Sequence, residues 1–271
     1  MSVTSLEGLQ RILSDVAAEG RFALAYSGGL DSRFLAHAAH ILGLRPLLLH
    51  VTGPHVPPEE SDFARSWAER NGLEFRPVPV NPLTLPPVAK GARDRCYACK
   101  RRLFTALAEE SDLPLCDGTN ASDASTYRPG LRAVRELGVI SPLALAGLTK
   151  NDIHFLAGQT GMEQPEQKPR PCLLTRLPYG TTPTEETLAA IAAAELAVRG
   201  TLVRASMPQV DFRLRLTAPD KPELHLLSSD TAVMPLSLLE SLTEEAHHAM
   251  PGLPWPILSP QESLSGFFDR T

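Results

Sequence analysis

The sequence predicts an α/β fold built on a parallel sheet, followed by a smaller α+β domain. From residue 20 to about 160, short apolar runs alternate with stretches of helical periodicity, which is the order of βαβ units. Prolines at 165, 169, 171, 178 and 183 then interrupt regular structure. Beyond them, a long helical stretch and a strictly alternating run mark a second domain. The division expected is 1–165, a linker loop over 166–182, and 183–271.

Residues 1 to 20 read as an amphipathic helix with Leu6, Leu9, Ile12, Leu13 and Val16 on one side. Strands are expected at 22–26, 46–51, 74–79 and 114–117, each an apolar run bounded by turn residues. Between them, 32–43 is a helix with Phe34, Leu35, Ala38, Ile41 and Leu42 inward, and 58–71 is one that starts at its prolines. Helices follow at 130–138 and 149–160, the second opening on a Thr149-Lys-Asn-Asp152 capping pattern. In the second domain, Thr182-Pro-Thr-Glu185 starts a helix running to about 199, with Thr182 as cap and proline at the first turn. Val210, Phe212, Leu214 and Leu216 alternate with Asp211, Arg213, Arg215 and Thr217, so 209–217 is a strand with one wet face. Another helix fits 235–248, and the proline-broken tail from 250 gives no pattern.

Composition narrows the class. A hydrophobic content of 43% with 21% charge, and no long uncharged apolar run, describes a globular chain and not a disordered or membrane-spanning one. No basic-plus-apolar leader opens the sequence, which predicts a cytoplasmic protein with no membrane partner. The net charge of -5 argues against nucleic acid as a partner, because a phosphate backbone rewards a basic face.

The chemistry begins at Phe22-Ala-Leu-Ala-Tyr-Ser27-Gly28-Gly29-Leu-Asp31-Ser32, where an apolar run breaks into a glycine turn and resumes as a helix. The glycines let backbone N–H groups approach an anion at a helix N-terminus, where the dipole also favours negative charge, and Ser27 and Ser32 add hydroxyls. No Gly-Lys-Ser/Thr follows, so this is not the mononucleotide P-loop. In an open parallel sheet, ligands bind beyond the carboxyl ends of the strands, where this loop, Thr52 and Asp117-Gly118-Thr-Asn120 would all lie.

A second constellation is Arg93-Asp-Arg-Cys96-Tyr-Ala-Cys99-Lys100-Arg-Arg102, a cysteine pair leading into a helix among basic residues. Such surroundings favour the thiolate, the nucleophilic and metal-binding form. The spacing alone fits a redox disulfide, half a zinc site or part of an iron–sulfur cluster equally well. Cys172 lies in another basic, proline-restrained loop, Lys168-Pro-Arg-Pro-Cys-Leu-Leu-Thr-Arg176, whereas Cys116 sits in an apolar run and reads as core.

Tyr26-Ser-Gly-Gly-Leu-Asp-Ser32 resembles the PP-loop of the adenine nucleotide α-hydrolase-like superfamily, whose members hold the pyrophosphate of ATP. Taken with Asp94–Lys100, Asp117-Gly-Thr-Asn-Ala-Ser-Asp123, Tyr127-Arg-Pro-Gly130, Ser141-Pro-Leu143, Gly147-Leu-Thr-Lys150, Lys168-Pro169 and Cys172 through Gly180, the chain resembles, over most of 5–205, the LarE-type sulfur transferases of nickel-pincer nucleotide biosynthesis. The resemblance implies a PP-loop domain that adenylates a carboxylate of pyridinium-3,5-biscarboxylic acid mononucleotide with ATP and Mg²⁺, releases pyrophosphate, and delivers sulfur to give a thiocarboxylate.

It further implies Asp31 and Cys172 as catalytic residues, and Ala25, Ser27, Gly28, Gly29, Asp31, Ser32, Thr52, Gly118 and Asn120 as the ATP contacts. Lys100, Arg128, Arg176 and Arg213 are the candidates for steering the mononucleotide substrate. Some members of the family sacrifice the sulfur of one cysteine at the Cys172 position; others pair it with a CxxC to hold a [4Fe–4S] cluster. With Cys96, Cys99 and Cys172 all present, the chain resembles the second kind, served by an external sulfide source, and the family resemblance implies a homo-oligomer. Arg33 stands where the PP-loop usually carries a small hydroxyl residue, so one phosphate contact is missing or replaced by a guanidinium. Two other classes share parts of this pattern: a PP-loop tRNA thiolase, which should be broadly basic, and a non-catalytic nucleotide or metal sensor, which would release no pyrophosphate.

Overall fold

The computed structural model of the chain describes residues 4–125 and 129–270. In chain order its helices and strands are α1 (Thr4–Val16), β1 (Ala23–Ala25), α2 (Leu30–Ile41), β2 (Leu47–Thr52), α3 (Pro58–Arg70), β3 (Glu74–Pro79), α4 (Pro86–Ala89), α5 (Arg95–Glu109), β4 (Leu115–Asp117), α6 (Pro129–Glu136), α7 (Pro142–Leu145), α8 (Lys150–Gln159), α9 (Glu185–Arg204), β5 (Phe212–Ala218), β6 (Lys221–Leu227), α10 (Ser228–Thr231), α11 (Leu236–His248) and β7 (Ile257–Gln261). They fall into two compact units. One comprises Met1–Val56, Glu60–Pro82 and Asp94–Arg170; the other comprises Pro57–Glu59, Leu83–Arg93 and Pro171–Thr271.

The first unit holds a four-stranded parallel sheet in the order β3-β2-β1-β4. Successive side chains of a strand point to opposite faces, and here both faces are covered, which is why the strands read as apolar runs and not as alternating ones. On one face Leu24 and Leu48 pack with Leu9 and Leu13 of α1, Phe34 and Leu35 of α2, Trp67 of α3 and Ile153 of α8. On the other, Ala23, Leu47 and Leu49 meet Phe104 and Leu107 of α5 and Val134 of α6. The chain runs outward from β1 through β2 to β3, then returns to place β4 on the other side of β1. That reversal is a topological switch point at the carboxyl end of β1. The Thr149–Asp152 capping box is formed as expected, with Thr149 accepting from the Asp152 N–H and Asp152 from the Thr149 N–H.

In the second unit β5 and β6 are antiparallel and β7 lies parallel to β6. The sequence missed β7 because its residues carry no alternation. The helix expected from Thr182 starts later and runs longer: Thr184 is the cap, accepting from the Thr187 N–H, and α9 continues to Arg204. Pro183 therefore sits just before the cap and not inside the first turn.

A larger correction concerns β5, whose expected wet face is buried. Arg213 and Arg215 are 6% and 3% exposed. Arg213 pairs with Asp211. Arg215 bonds His225 Nδ1 at 2.8 Å, donates to the Leu264 carbonyl, and stacks over Phe267 at 5.1 Å. A charged group can be buried when it is paired or hydrogen-bonded, so alternation of charge and apolar residue did not imply solvent. Among the described residues no helix is long and apolar enough to cross a membrane.

Burial lowers the pKa of four histidines, His37, His50, His55 and His225, and moves the last two furthest. His225, held down by burial and by the Arg215 guanidinium beside it, lies at about 4, and His55 is brought to about 4 by burial alone. For Glu223, burial pushes upward, but hydrogen bonds from Lys221, Thr217 and His225 outweigh it and hold the carboxyl at about 2. His55 and His225 bind a proton more weakly folded than unfolded. The stability this brings is therefore complete above about pH 6.5 and drains away as pH falls towards 4. Thermal denaturation across that window should show a falling midpoint, and His55→Leu should flatten the fall; an unchanged slope in the variant would contradict this account.

Candidate active site at the phosphate loop

β1 ends at Ala25, and the next residue, Tyr26, is locked from both sides. Its N–H donates to the Leu49 carbonyl at 2.8 Å, and its carbonyl accepts from His50 Nδ1 at 2.9 Å. His50 Nε2 then accepts from the Ser61 hydroxyl at 3.0 Å, and burial keeps the ring neutral by lowering its pKa. From this fixed point Ser27, Gly28 and Gly29 turn into α2. Gly28 has φ +76°, and a β-carbon on it would lie 2.8 Å from that of Ala64. Gly29 occupies the cap position of α2, and no side chain caps the helix there. The Gly29 N–H is taken by Ser27 Oγ at 3.2 Å, and Ser32 Oγ donates back to the Gly29 carbonyl at 3.1 Å. The first-turn N–H groups that follow are thus held in a serine-lined turn without a protein cap, which is the local chemistry of an oxyanion site.

The loop after β4 closes the other side. Asp117 accepts from the Thr119 N–H at 3.1 Å, the Thr119 hydroxyl at 2.5 Å and the Ser141 hydroxyl at 2.7 Å, which fixes the chain that follows. Gly118 then passes so close to α2 that a β-carbon would stand 2.9 Å from the Ser32 nitrogen. Asn120 is 3% exposed, and its Oδ1 caps the Ser122 N–H at 2.9 Å. Thr52 ends β2 on the same edge of the sheet, its carbonyl accepting from the Val80 N–H. Ala25 at the end of β1, the Ser27–Gly29 turn, Asp31 and Ser32 in the first turn of α2, and Gly118 and Asn120 after β4 therefore flank the switch point.

Sequence reasoning gave no role to Lys150. Its Nζ lies 2.8 and 2.9 Å from the two carboxylate oxygens of Asp31, in the first turn of α2, with both side chains about a third exposed or less. The signal was weak: Gly147-Leu-Thr-Lys150 is a distinctive string, but a lysine at the first position of a helix announces nothing by itself. Arg33 is the converse case. It does not extend the phosphate loop; it is wholly buried and bonds Gln167 and the carbonyls of Glu163 and Gln164.

The cysteine pair lies within α5 and not ahead of it, with Cys96 exposed and Cys99 buried one turn apart. Lys100 follows, half-buried, its ammonium 5.9 Å from the Phe104 ring. Cys116 belongs to the core of the sheet, where burial pushes its thiol up to about 12. In the second unit Cys172 caps a 3₁₀ turn, Leu173–Arg176, its carbonyl accepting from the Thr175 N–H and hydroxyl. Arg176 is buried and forks onto Glu195 at 2.6 and 3.0 Å, and Arg213 is held by Asp211. Arg128 lies outside the described residues. Among the described residues no group of three or more His, Cys, Asp or Glu side chains is gathered as a metal site. The thiols are the right donors for an iron–sulfur cluster, and Cys96 and Cys99 share one helical turn.

The chain matches no family model. It is 32% identical over 205 residues to an uncharacterized protein of Synechocystis, covering 73% of this chain and 75% of that one. It is 30% identical over 203 residues to the pyridinium-3,5-bisthiocarboxylic acid mononucleotide synthase of Lactiplantibacillus plantarum, covering 73% of this chain and 70% of the relative.

The close approach of Gly118 to α2 generates a direct test. Gly118→Ala must push the β4 loop off the first turn of α2, at a cost of about 1–3 kcal/mol. The melting point should fall and nucleotide binding measured by calorimetry should weaken; full binding in the alanine variant would show that the contact is not needed.

Proposed function

The chain belongs to the pyridinium-3,5-bisthiocarboxylic acid mononucleotide synthase family, and from that premise we propose that it is an ATP-dependent sulfur transferase acting on pyridinium-3,5-biscarboxylic acid mononucleotide during nickel-pincer nucleotide assembly. The observation that carries the reading is the uncapped first turn of α2, set at the switch point of a parallel sheet with Lys150 and Asp31 beside it.

A carboxylate is a poor electrophile, and ATP supplies the leaving group. A substrate carboxylate oxygen attacks the α-phosphorus, the bond from that phosphorus to the bridging oxygen breaks, and pyrophosphate departs with the electron pair. Sulfide then attacks the acyl carbon, the carbon–oxygen bond to AMP breaks, and a thiocarboxylate and AMP leave. In this reading the N–H groups of the α2 turn, with the Ser27 and Ser32 hydroxyls, hold the departing pyrophosphate, and Lys150 offsets its charge. Thr52, Ala25, Gly118 and Asn120 shape the nucleotide side. Asp31 is the carboxylate at hand for Mg²⁺, which commonly takes one or two carboxylates and completes its shell with phosphate oxygens and water. The ammonium of Lys150 must then turn from Asp31 to the phosphates as ATP enters. Lys100 and Arg128 are proposed to steer the mononucleotide; Arg176 and Arg213 would do so only while sharing their carboxylate partners.

For the sulfur, Cys96, Cys99 and Cys172 would hold a [4Fe–4S] cluster, and the chemistry such a group would supply is binding of exogenous sulfide. Support for this route over sacrifice of Cys172 comes from the CxxC itself, which a single sacrificial cysteine would not need.

Asp31→Asn should lower pyrophosphate release by about two orders of magnitude with the fold intact by circular dichroism, and Lys150→Met should act in the same direction. Formation of ADP and phosphate by the wild type would remove the adenylation step altogether. Anaerobic reconstitution should give about four irons per chain, lost on replacing Cys96, Cys99 or Cys172 by Ala but kept in Cys116→Ala. Dehydroalanine at 172 in active protein loaded with iron and sulfide would defeat the cluster route.

A further inference from the structure

The stretch from Glu163 to Arg170 has no helix or strand, yet it is one of the most heavily fastened parts of the first unit. Arg33 does most of the fastening. Its Nη1 donates to the Glu163 carbonyl at 2.7 Å, its Nη2 to the Gln164 carbonyl at 3.0 Å, and Nε and Nη2 converge on Gln167 Oε1 at 3.2 and 2.7 Å. The guanidinium is stacked against Phe63 and Trp67, its central carbon 5.3 and 5.8 Å from their rings. Three further ties reach the same stretch: Arg70 to the Glu163 carboxylate at 2.9 Å, His154 Nδ1 to the Pro165 carbonyl at 2.7 Å, and Arg170 to Glu60 at 2.5 Å. Gln164, whose carbonyl Arg33 holds, has φ +50°, a conformation that a non-glycine residue keeps only when its surroundings enforce it.

This strap ends two residues before Cys172, and two residues of chain span no more than about 7 Å. Its other end is fixed to α2 one residue beyond Ser32 of the phosphate loop. Arg33 is therefore bonded to the strap from the helix whose first turn carries Asp31 and Ser32. A small hydroxyl at position 33 could make none of these bonds.

We infer that Arg33 is a positioning residue for sulfur transfer: with Gln167 as its principal partner, it fastens the strap 163–170 to the phosphate-loop helix and so fixes where the chain delivers Cys172. The inference rests on the reading that Cys172 serves the second half-reaction. It predicts a split between the two half-reactions, because the contacts of the phosphate loop do not include Gln167.

The test uses Gln167→Leu, which removes the acceptor from a half-buried position and leaves the core intact; Gln167→Glu, which keeps an acceptor; and Arg33→Lys, which cannot fork. Hydrogen exchange of the peptide covering 162–171 should speed up in Gln167→Leu and Arg33→Lys while α2 stays protected, and Gln167→Glu should match the wild type. With ATP, substrate and sulfide, thiocarboxylate formation should drop about tenfold to a hundredfold in Gln167→Leu, the scale on which small misplacements remote from the chemistry act, while pyrophosphate release stays near wild type. Unchanged exchange in both loosening variants overturns the clamp. Equal losses in both half-reactions overturn the positioning role, as does full thiocarboxylate formation in a variant whose strap is loose. A wild type that releases no pyrophosphate sinks the functional reading and this role with it, an outcome visible before any variant is made and distinct from the exchange result.

Discussion

Everything in the first unit is arranged around a helix start that is kept without a cap. Serine, threonine, asparagine or aspartate ordinarily closes such an end, and leaving first-turn donors unmet carries a cost that packing must offset. Here Gly29 holds the cap position, and two glycine approaches, Gly28 against Ala64 and Gly118 against Ser32, bring backbone where a side chain would otherwise intrude. The strand order supplies the setting: β1 lies between β2 and β4, so the loops after β1 and β4 meet where the chain reverses direction across the sheet. Fixing Tyr26 through His50 and the β4 loop through Asp117 then turns an uncapped helix end into a defined one.

The first turn of α2 also separates two charges that look alike in importance from the sequence. Asp31 and Arg33 are two positions apart, and residues so spaced on a helix do not share a face. Asp31 faces Lys150 at the partly exposed end, whereas Arg33 turns into the interior, against Phe63, Trp67 and the strap. A guanidinium at position 33 cannot replace a hydroxyl on the phosphates while it is engaged this way. The sequence left the phosphate contact either missing or replaced by a guanidinium; the bonds of Arg33 to Gln167 and to the Glu163 and Gln164 carbonyls make it a structural tie.

What was legible in the sequence was local. Apolar runs bounded by turn residues place β1 to β4 within a residue or two, and the Thr149–Asp152 box and the Ser27–Ser32 loop are patterns whose physics is complete within a few residues. The parts not legible depend on partners far along the chain. Lys150 meets Asp31 across 119 positions, and Arg33 meets Gln167 across 134. Arg213 and Arg215 alternate with apolar residues as a solvated face would, but that face is covered, partly by Leu264 and Phe267 from a tail whose prolines hide its role. Alternation reports which side chains share a face; it does not report what lies over that face.

The cysteines pose the same question of what a spacing can decide. Inside α5, Cys96 and Cys99 are three residues apart and lie on one side of the helix, which a turn ahead of the helix would not have guaranteed. Tyr97 between them is directed elsewhere, donating to Glu136 at 2.5 Å with the Arg132 guanidinium 4.0 Å over its ring, so α6 braces the turn that carries both thiols. A braced pair offers two thiols to the proposed cluster, and a cubane held by protein needs more. Cys116 cannot add one, because it is sealed in the core where its thiol keeps its proton. Of the four cysteines that leaves Cys172, whose carbonyl is bound within its own turn and whose chain is led in by the strap. The strap leading to Cys172 is tied to the phosphate-loop helix through Arg33.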